Sequence, residues 1–137
     1  MAMSDTTLLQ YLLKTTGNQV LQTFNGLSEA HFDTKLVPHA MSPRETLEHL
    51  CDCYQNAIAT SEGREPTWGA YKLVATTQAD AIAEMSTLRN RAIAVADEKI
   101  AVEYIAVHDA YHVGQLVTLR LSVEPDWNYY SIYDEPA

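Results

Sequence analysis

Histidine is the residue type whose spacing in this sequence could carry chemistry. His108 and His112 are four residues apart within residues 100–121, a run that is apolar nearly all the way round. A helix has about 3.6 residues per turn, so it would place both imidazoles on one face, one turn apart. His49 lies in a separate run of helical spacing and could approach them from a facing helix. Three imidazole nitrogens can bind a divalent cation and leave a coordination position open for water or substrate.

The spacing alone leaves two interpretations of these three histidines open. They could be metal ligands, or they could be polar residues of a helical core that are paired with other buried groups. His31 and His39 lie in a connection without helical periodicity, and we predict that they are ordinary loop residues. The function therefore depends on whether the fold brings the first three together.

Two polar neighbours of the histidine pair are candidate catalytic residues. Asp109 stands where the zinc-protease helix motif has a glutamate, so that motif is absent. Its side chain would point about 100° away from His108, toward a neighbouring helix or the outer side of a metal site. Gln115, three residues after His112, could orient a ligand, bind a metal's water, contact substrate or bond to another helix.

Two small residues near the histidines are expected to serve the packing. Cys53 lies one helical turn beyond His49, and we predict a buried, inert thiol there rather than a further ligand or a reactive group. Gly114 interrupts the helix that carries the histidine pair, and the expected reason is the close approach of a neighbouring helix.

The elements that must position these residues are helices. Helical spacing predicts four of them, from Asp5 to Asn25, from Pro43 to about Ser61, from Thr76 or Thr77 to a turn at Ala96–Glu98, and from that turn to about Leu121. Residues 42–45 (Ser-Pro-Arg-Glu) have the pattern of a capping box with proline at the first helical position. Asp97 is the expected cap of the fourth helix. No strand pattern is present, so the sequence predicts an all-α four-helix bundle.

Length and composition predict a single domain over residues 1–137. Nine basic against eighteen acidic residues give a net charge of -9, which argues against a nucleic-acid partner. No apolar stretch approaches the ~20 residues of a membrane span, and the first residues do not have the pattern of a signal peptide. Cys51 and Cys53 diverge on a helix and cannot bridge each other. We therefore predict a cytoplasmic protein without a membrane partner.

The aromatic tail, residues 126–137, is expected to lie on the bundle or on a partner chain.

Residues 42–50 (SPRETLEHL) and residues 108–116 (HDAYHVGQL) together resemble the motifs of the DinB/YfiT-like family of metalloenzymes. The His-x-x-x-His-x-Gly-Gln pattern is fairly specific, and the resemblance extends to the length and layout of the chain. It implies an up-down-down-up four-helix bundle, often a homodimer, that binds a divalent metal through His49, His108 and His112. Zinc or nickel is the first expectation for that metal, and iron or manganese is the alternative.

The resemblance also implies a choice of activities on small-molecule substrates. The family includes thiol transferases that use bacillithiol, mycothiol or glutathione, and a thiol-dependent maleylpyruvate isomerase. Our leading hypothesis is a metal-dependent transferase that activates a low-molecular-weight thiol against a small electrophile. One alternative is a metal-dependent hydrolase that uses a metal-bound water, with Asp109, Glu45 and Asp52 as candidate bases. The second alternative is a bundle that binds metal or a small ligand without catalysis.

Overall fold

The computed structural model describes residues 4–136, and within that range the chain forms helices and no strands. The four long helices are α1, Asp5–Phe24; α2, Pro43–Ser61; α3, Gln78–Val95; and α4, which consists of Glu98–Ile100, a π-helical segment Ala101–Ala106, and Val107–Val123. The all-α four-helix prediction is therefore confirmed. None of the helices in residues 4–136 combines the length and the apolar character that crossing a membrane requires.

Local capping chemistry explains where the helices begin. The Ser42 hydroxyl accepts from the Glu45 amide at 3.1 Å, and the Glu45 carboxylate accepts from the Ser42 amide at 3.2 Å, which completes the predicted capping box at α2. Thr77 caps α3 by accepting from the Asp80 amide. Asp97 caps α4, as predicted, by accepting from the amide of Ile100 at 2.9 Å. α4 ends at Val123, two residues after the predicted end.

Hydrogen bonds between helix ends give the direction of α3 and α4 relative to α1. Gln78, at the start of α3, donates from Nε2 to the carbonyl of Leu27 at 3.0 Å, just beyond the end of α1. α1 and α3 are therefore antiparallel. Arg120, near the end of α4, donates from Nη1 to the carbonyl of Thr23 at 2.9 Å, near the end of α1. α1 and α4 are therefore parallel.

Two contacts give the direction of α2. The ring of His49 lies 4.9 Å from the ring of His112, while Cys53, one turn later in α2, donates from Sγ to the carbonyl of Tyr104 at 3.1 Å. The later residue of α2 thus contacts the earlier residue of α4, so the two helices are antiparallel. The four helices run up, down, down and up, which confirms the predicted order.

The core contains the apolar faces of all four helices. Its most deeply buried large apolar or aromatic side chains are Tyr54, Phe24, Phe32, Leu47, Leu50, Met85 and Ile105. Burying one side chain of this size stabilises the fold by roughly 1.5–3 kcal/mol. The core thus packs the helices into one body and holds α2 and α4 side by side.

Gly17 lies in the middle of α1, where glycine costs about 1 kcal/mol relative to alanine. The guanidinium of Arg89 from α3 lies against it, and a Cβ at this position would be 2.5 Å from Nη1. A side chain on residue 17 would therefore displace the buried arginine. The glycine is explained by this close approach.

The connection between α2 and α3 is held by carboxylates that accept backbone hydrogen bonds. Asp52 accepts from the amides of Gly69 at 2.9 Å and Tyr71 at 3.0 Å. Glu84 of α3 accepts from the amide of Ala75 at 2.9 Å and from the Tyr71 hydroxyl. These contacts fasten the loop along one side of the bundle, next to His49.

The aromatic tail lies on the bundle, which is one of the two predicted places. Tyr129–Tyr133 forms a short 3-10 helix against α1, and the Nε2 of Gln22 donates to the carbonyl of Asp134 at 3.1 Å. The guanidinium of Arg120 stacks on the ring of Trp127 at 4.3 Å. Most of Tyr133 is nevertheless exposed.

Candidate metal centre

Three imidazoles meet between α2 and α4. The Nε2 atoms of His49 and His108 are 3.0 Å apart, and those of His112 and His108 are 3.1 Å apart. One nitrogen from each of the three lies within 4.8 Å of those of the other two. His49 comes from the second turn of α2, while the other two are one turn apart on α4, as their spacing predicts. The structure thus brings together the three histidines that the sequence singled out.

Gln115 determines the tautomer of His112. Its amide nitrogen donates to the hydroxyl of Tyr111 at 3.0 Å, so its carbonyl oxygen faces Nδ1 of His112 at 2.8 Å. That nitrogen must then carry the proton and donate it to the carbonyl. The lone pair of His112 Nε2 is left directed at the other two imidazoles, which is the orientation that a ligand needs.

His108 is the central imidazole of the three. Its Nε2 contacts both of the others, and its Nδ1 is buried without a hydrogen-bond partner among residues 4–136. Burial and the neighbouring imidazoles of His112 and His49 lower the pKa of His108 to about 4. Burial and the neighbouring His49 lower the pKa of His112 to about 4. Both rings are neutral at pH 7, the state in which imidazole binds a cation. The donor set fits a divalent metal ion.

Asp109 lies on the other side of α4 from this cluster, in a buried network that joins all four helices. It is completely buried; one oxygen accepts from the Tyr54 hydroxyl of α2, and the other accepts from Nε of Arg89 of α3 at 2.8 Å. Arg89 also donates from Nη2 to the carbonyl of Leu13 in α1 at 2.7 Å. Burial raises the pKa of Asp109, and the arginine opposes that rise. A catalytic role for Asp109 stays a prediction, but both of its oxygens already have partners.

Sequence reasoning did not find Arg89 or Tyr54. Arg89 is 8% exposed and Tyr54 is fully buried, and helical spacing alone links neither of them to Asp109 or to the histidines. The only signal in the sequence is Gly17, a destabilising residue inside a helix, whose missing side chain leaves room for the arginine. A lone basic residue in an amphipathic helix otherwise indicates a solvent-exposed face.

The remaining candidates have structural partners as well. Glu45 completes the capping box, and Asp52 holds the loop between α2 and α3. Cys53 is buried, and burial together with the charges of Asp109 and Asp52 raises the pKa of its thiol to about 12. At neutral pH it is a protonated thiol, which agrees with the prediction of an inert group. His31 pairs with Glu124, with Nδ1 and the carboxylate 2.7 Å apart.

The prediction for Gly114 is wrong. Apart from its chain neighbours and the backbone of its own helix, no atom lies within 4 Å of the position that a Cβ would take there, so no other helix approaches it closely. Gly114 instead opens a groove of about 480 Å³ between α4 and the connection that precedes α2. His39, predicted to be an ordinary loop residue, lines the same groove together with Gln115.

Among residues 4–136, the structure is an all-helical bundle in which three imidazoles converge between antiparallel helices and could hold a metal ion. The sequence matches the family model of the DinB superfamily over residues 12–105, which is more than half of the chain. The protein belongs to the DinB superfamily. The matched region includes His49 and ends before the paired histidines of α4. No curated protein and no solved structure matches the chain significantly.

Proposed function

We propose that the protein is a metal-dependent transferase that joins a low-molecular-weight thiol to a small electrophile. The observation that carries the proposal is the convergence of His49, His108 and His112, whose Nε2 contacts are 3.0 and 3.1 Å. Three nitrogen ligands leave a position on the cation for a co-substrate, whereas four protein ligands would close it. Zinc or nickel is the proposed metal, with iron or manganese as the alternative; imidazole suits zinc, nickel and iron.

A divalent cation held by these residues would lower the pKa of a coordinated thiol, so that the thiolate forms at neutral pH. The sulfur forms a bond to the electrophilic carbon and the thiol proton goes to solvent. In a substitution the leaving group departs with its bonding electron pair; in an addition to an α,β-unsaturated carbonyl the C=C π bond breaks and the α carbon takes a proton from solvent. Within the chain, the three histidines would bind the cation, and Gln115 holds His112 in the tautomer that can bind it. Asp109, which follows His108, holds that part of α4 in place through Arg89 and Tyr54.

The thiol transferase is better supported than the hydrolase. Hydrolysis needs a base to take a proton from water, and Asp109, Asp52 and Glu45 are the candidates. Among the described residues each of these carboxylates already accepts hydrogen bonds that hold a helix or a loop. A thiol that loses its proton on binding needs no such base. A homodimer in the cytoplasm is proposed with the activity, and exposed apolar side chains of α1 such as Leu8 and Tyr11 support self-association.

The test begins with untagged protein loaded separately with zinc, nickel, manganese or ferrous iron. Each form is assayed for conjugation of glutathione, bacillithiol and mycothiol to 1-chloro-2,4-dinitrobenzene and to an α,β-unsaturated carbonyl. We expect turnover with one pairing at least, and its loss in His112→Ala but not in His31→Ala. The absence of conjugation throughout the panel, or equal turnover in His112→Ala, would contradict the proposal. Ester or amide cleavage in its place would favour the hydrolase.

A further inference from the structure

The groove beside the metal centre has the dimensions of a small-molecule site. Its volume is about 480 Å³, within the range of roughly 300–1,000 Å³ that is usual for ligand pockets. Gln115 is part of its wall and also accepts from His112 Nδ1 at 2.8 Å. One residue thus links the groove to the imidazole cluster. A molecule bound in the groove would contact the residue that bonds to His112, although the three histidines are not themselves part of its lining.

Gly114 supports the idea that this space is used by a ligand. Glycine in the middle of a helix is destabilising relative to alanine, so it needs a reason. The backbone conformation of Gly114 does not require glycine, because Gly114 is not among the glycines with a positive φ in residues 4–136. Helix packing does not require it either, since no other helix lies within 4 Å of the position of a Cβ. What the missing side chain does is widen the groove.

The lining of the groove indicates what kind of molecule fits. It contains no lysine, arginine, aspartate or glutamate. Leu36, Met41 and Leu116 supply apolar surface, while His39 and Gln115 supply hydrogen-bonding groups. A formally charged ligand would lose its hydration here without gaining an opposite charge. An uncharged molecule with an apolar body and one polar end loses little.

We propose that this groove binds the electrophilic co-substrate of the reaction, and that this co-substrate is a small, uncharged, largely apolar molecule. Gly114 is the residue that determines how large it can be. That the ligand is an electrophile rests on the proposed transferase function. The binding site itself can be tested without thiol, metal or turnover.

The probe is 1-naphthol at pH 8, a neutral two-ring molecule, added to protein whose methionine methyl groups carry ¹³C. Met41 lines this groove, whereas Met85 is 1% exposed and lines a different groove, between α1 and α3. We expect saturable shifts of the Met41 methyl resonance and none of Met85. Naphthalene-1-sulfonate has the same rings and a negative charge, and its affinity should be lower by about tenfold or more. Titrations are run on metal-free and zinc-loaded protein.

Gly114→Leu fills the groove and should weaken 1-naphthol binding about tenfold or more, while the protein still binds zinc. Ala94→Leu places the same side chain on an exposed position of α3 and should leave 1-naphthol affinity unchanged. Equal affinity in Gly114→Leu and the parent, a shift of Met85 in place of Met41, or no saturable binding would each overturn the proposal. If Gly114→Leu fails to fold, the Met41 and Met85 shifts of the parent protein decide. Saturable binding at Met41 without any thiol conjugation would refute the transferase and leave the site in place.

Discussion

Arg89 donates from Nε to Oδ2 of Asp109 at 2.8 Å, and the two side chains are 8% and 0% exposed. The pair joins α3 to α4 one residue after His108, and its further hydrogen bonds reach Tyr54 on α2 and Leu13 on α1. The histidine cluster on one side of α4 is therefore supported by a buried charge network on the other side. This relationship makes the stability of the bundle and the geometry of the site interdependent.

Arg89→Met should destabilise the protein by about 3–5 kcal/mol, because it leaves the buried charge of Asp109 without its partner. Urea unfolding followed by circular dichroism measures the change. Arg91→Met, at an exposed position of the same helix, is the control and should change stability by less than about 0.5 kcal/mol. Arg89→Met combined with Asp109→Asn should be less destabilised than the sum of the single changes. Additive losses would show that the pair is not coupled.

Gln115→Leu should weaken zinc binding about 10–100-fold, because His112 loses the acceptor that holds its tautomer and ring orientation. Competition with a chromophoric chelator measures the affinity. Gln115→Glu keeps an acceptor oxygen and should recover much of the affinity. Ser122→Ala removes a hydroxyl elsewhere on α4 and should have no effect. An unchanged affinity in Gln115→Leu would show that the hydrogen bond to His112 does not position a ligand.

Zinc should stabilise the folded protein, since the unfolded chain does not hold the three histidines together. At about 100 times its dissociation constant, the stabilisation is about 2.7 kcal/mol. Thermal unfolding with and without zinc measures it, and EDTA should reverse the increase in Tm. The increase should disappear in His49→Ala and in His108→Ala and persist in His31→Ala. The same Tm with zinc and with EDTA would favour the interpretation that the histidines only pair within the core.

Glu84 should make the fold sensitive to acid. Burial raises the pKa of its carboxyl, but hydrogen bonds from the Tyr71 hydroxyl and the amides of Val74 and Ala75 outweigh it and lower the pKa below its usual 4.5. The unfolded chain therefore binds this proton more readily than the folded protein. The stabilisation is fully present above pH 4.5 and is lost as the pH falls through the lowered pKa.

Urea unfolding at pH 7, 5, 4 and 3 tests the contribution of Glu84. Glu84→Gln should be less stable than the parent at pH 7, and the difference should shrink as the pH falls through the lowered pKa and the parent carboxyl takes up a proton. Glu103→Gln, at an exposed position of α4, should follow the parent at every pH. A constant difference between Glu84→Gln and the parent from pH 7 to pH 3 would contradict the linkage.

Local chemistry allowed much of the fold to be predicted from the sequence. A capping box and an Asx cap are formed by residues three apart, so the pattern at residues 42–45 and Asp97 marked helix starts without knowledge of the rest. The same holds for His108 and His112, which any helix places on one face. The direction of the helices came with the family resemblance, which also strengthened the inference from the residue pattern that His49 is the third ligand. The contacts of α2 with α4 confirm both the order and the meeting of the three rings.

What the sequence determined by itself was therefore the helices, their starts and the shared face of the histidine pair, because these depend on neighbours within a few residues. Only the tertiary structure decided the partners of Asp109, the π-helical segment Ala101–Ala106 that precedes the histidine pair, and the use of Gly114. The partners of Asp109 come from distant parts of the chain, and the open space beside Gly114 depends on where the other elements pack. A basic residue in an amphipathic helix predicts a solvent-exposed side chain, and only the structure shows that Arg89 is buried against α1 and α4. Gly114 predicted close helix packing, and only the structure shows that no helix lies beside it.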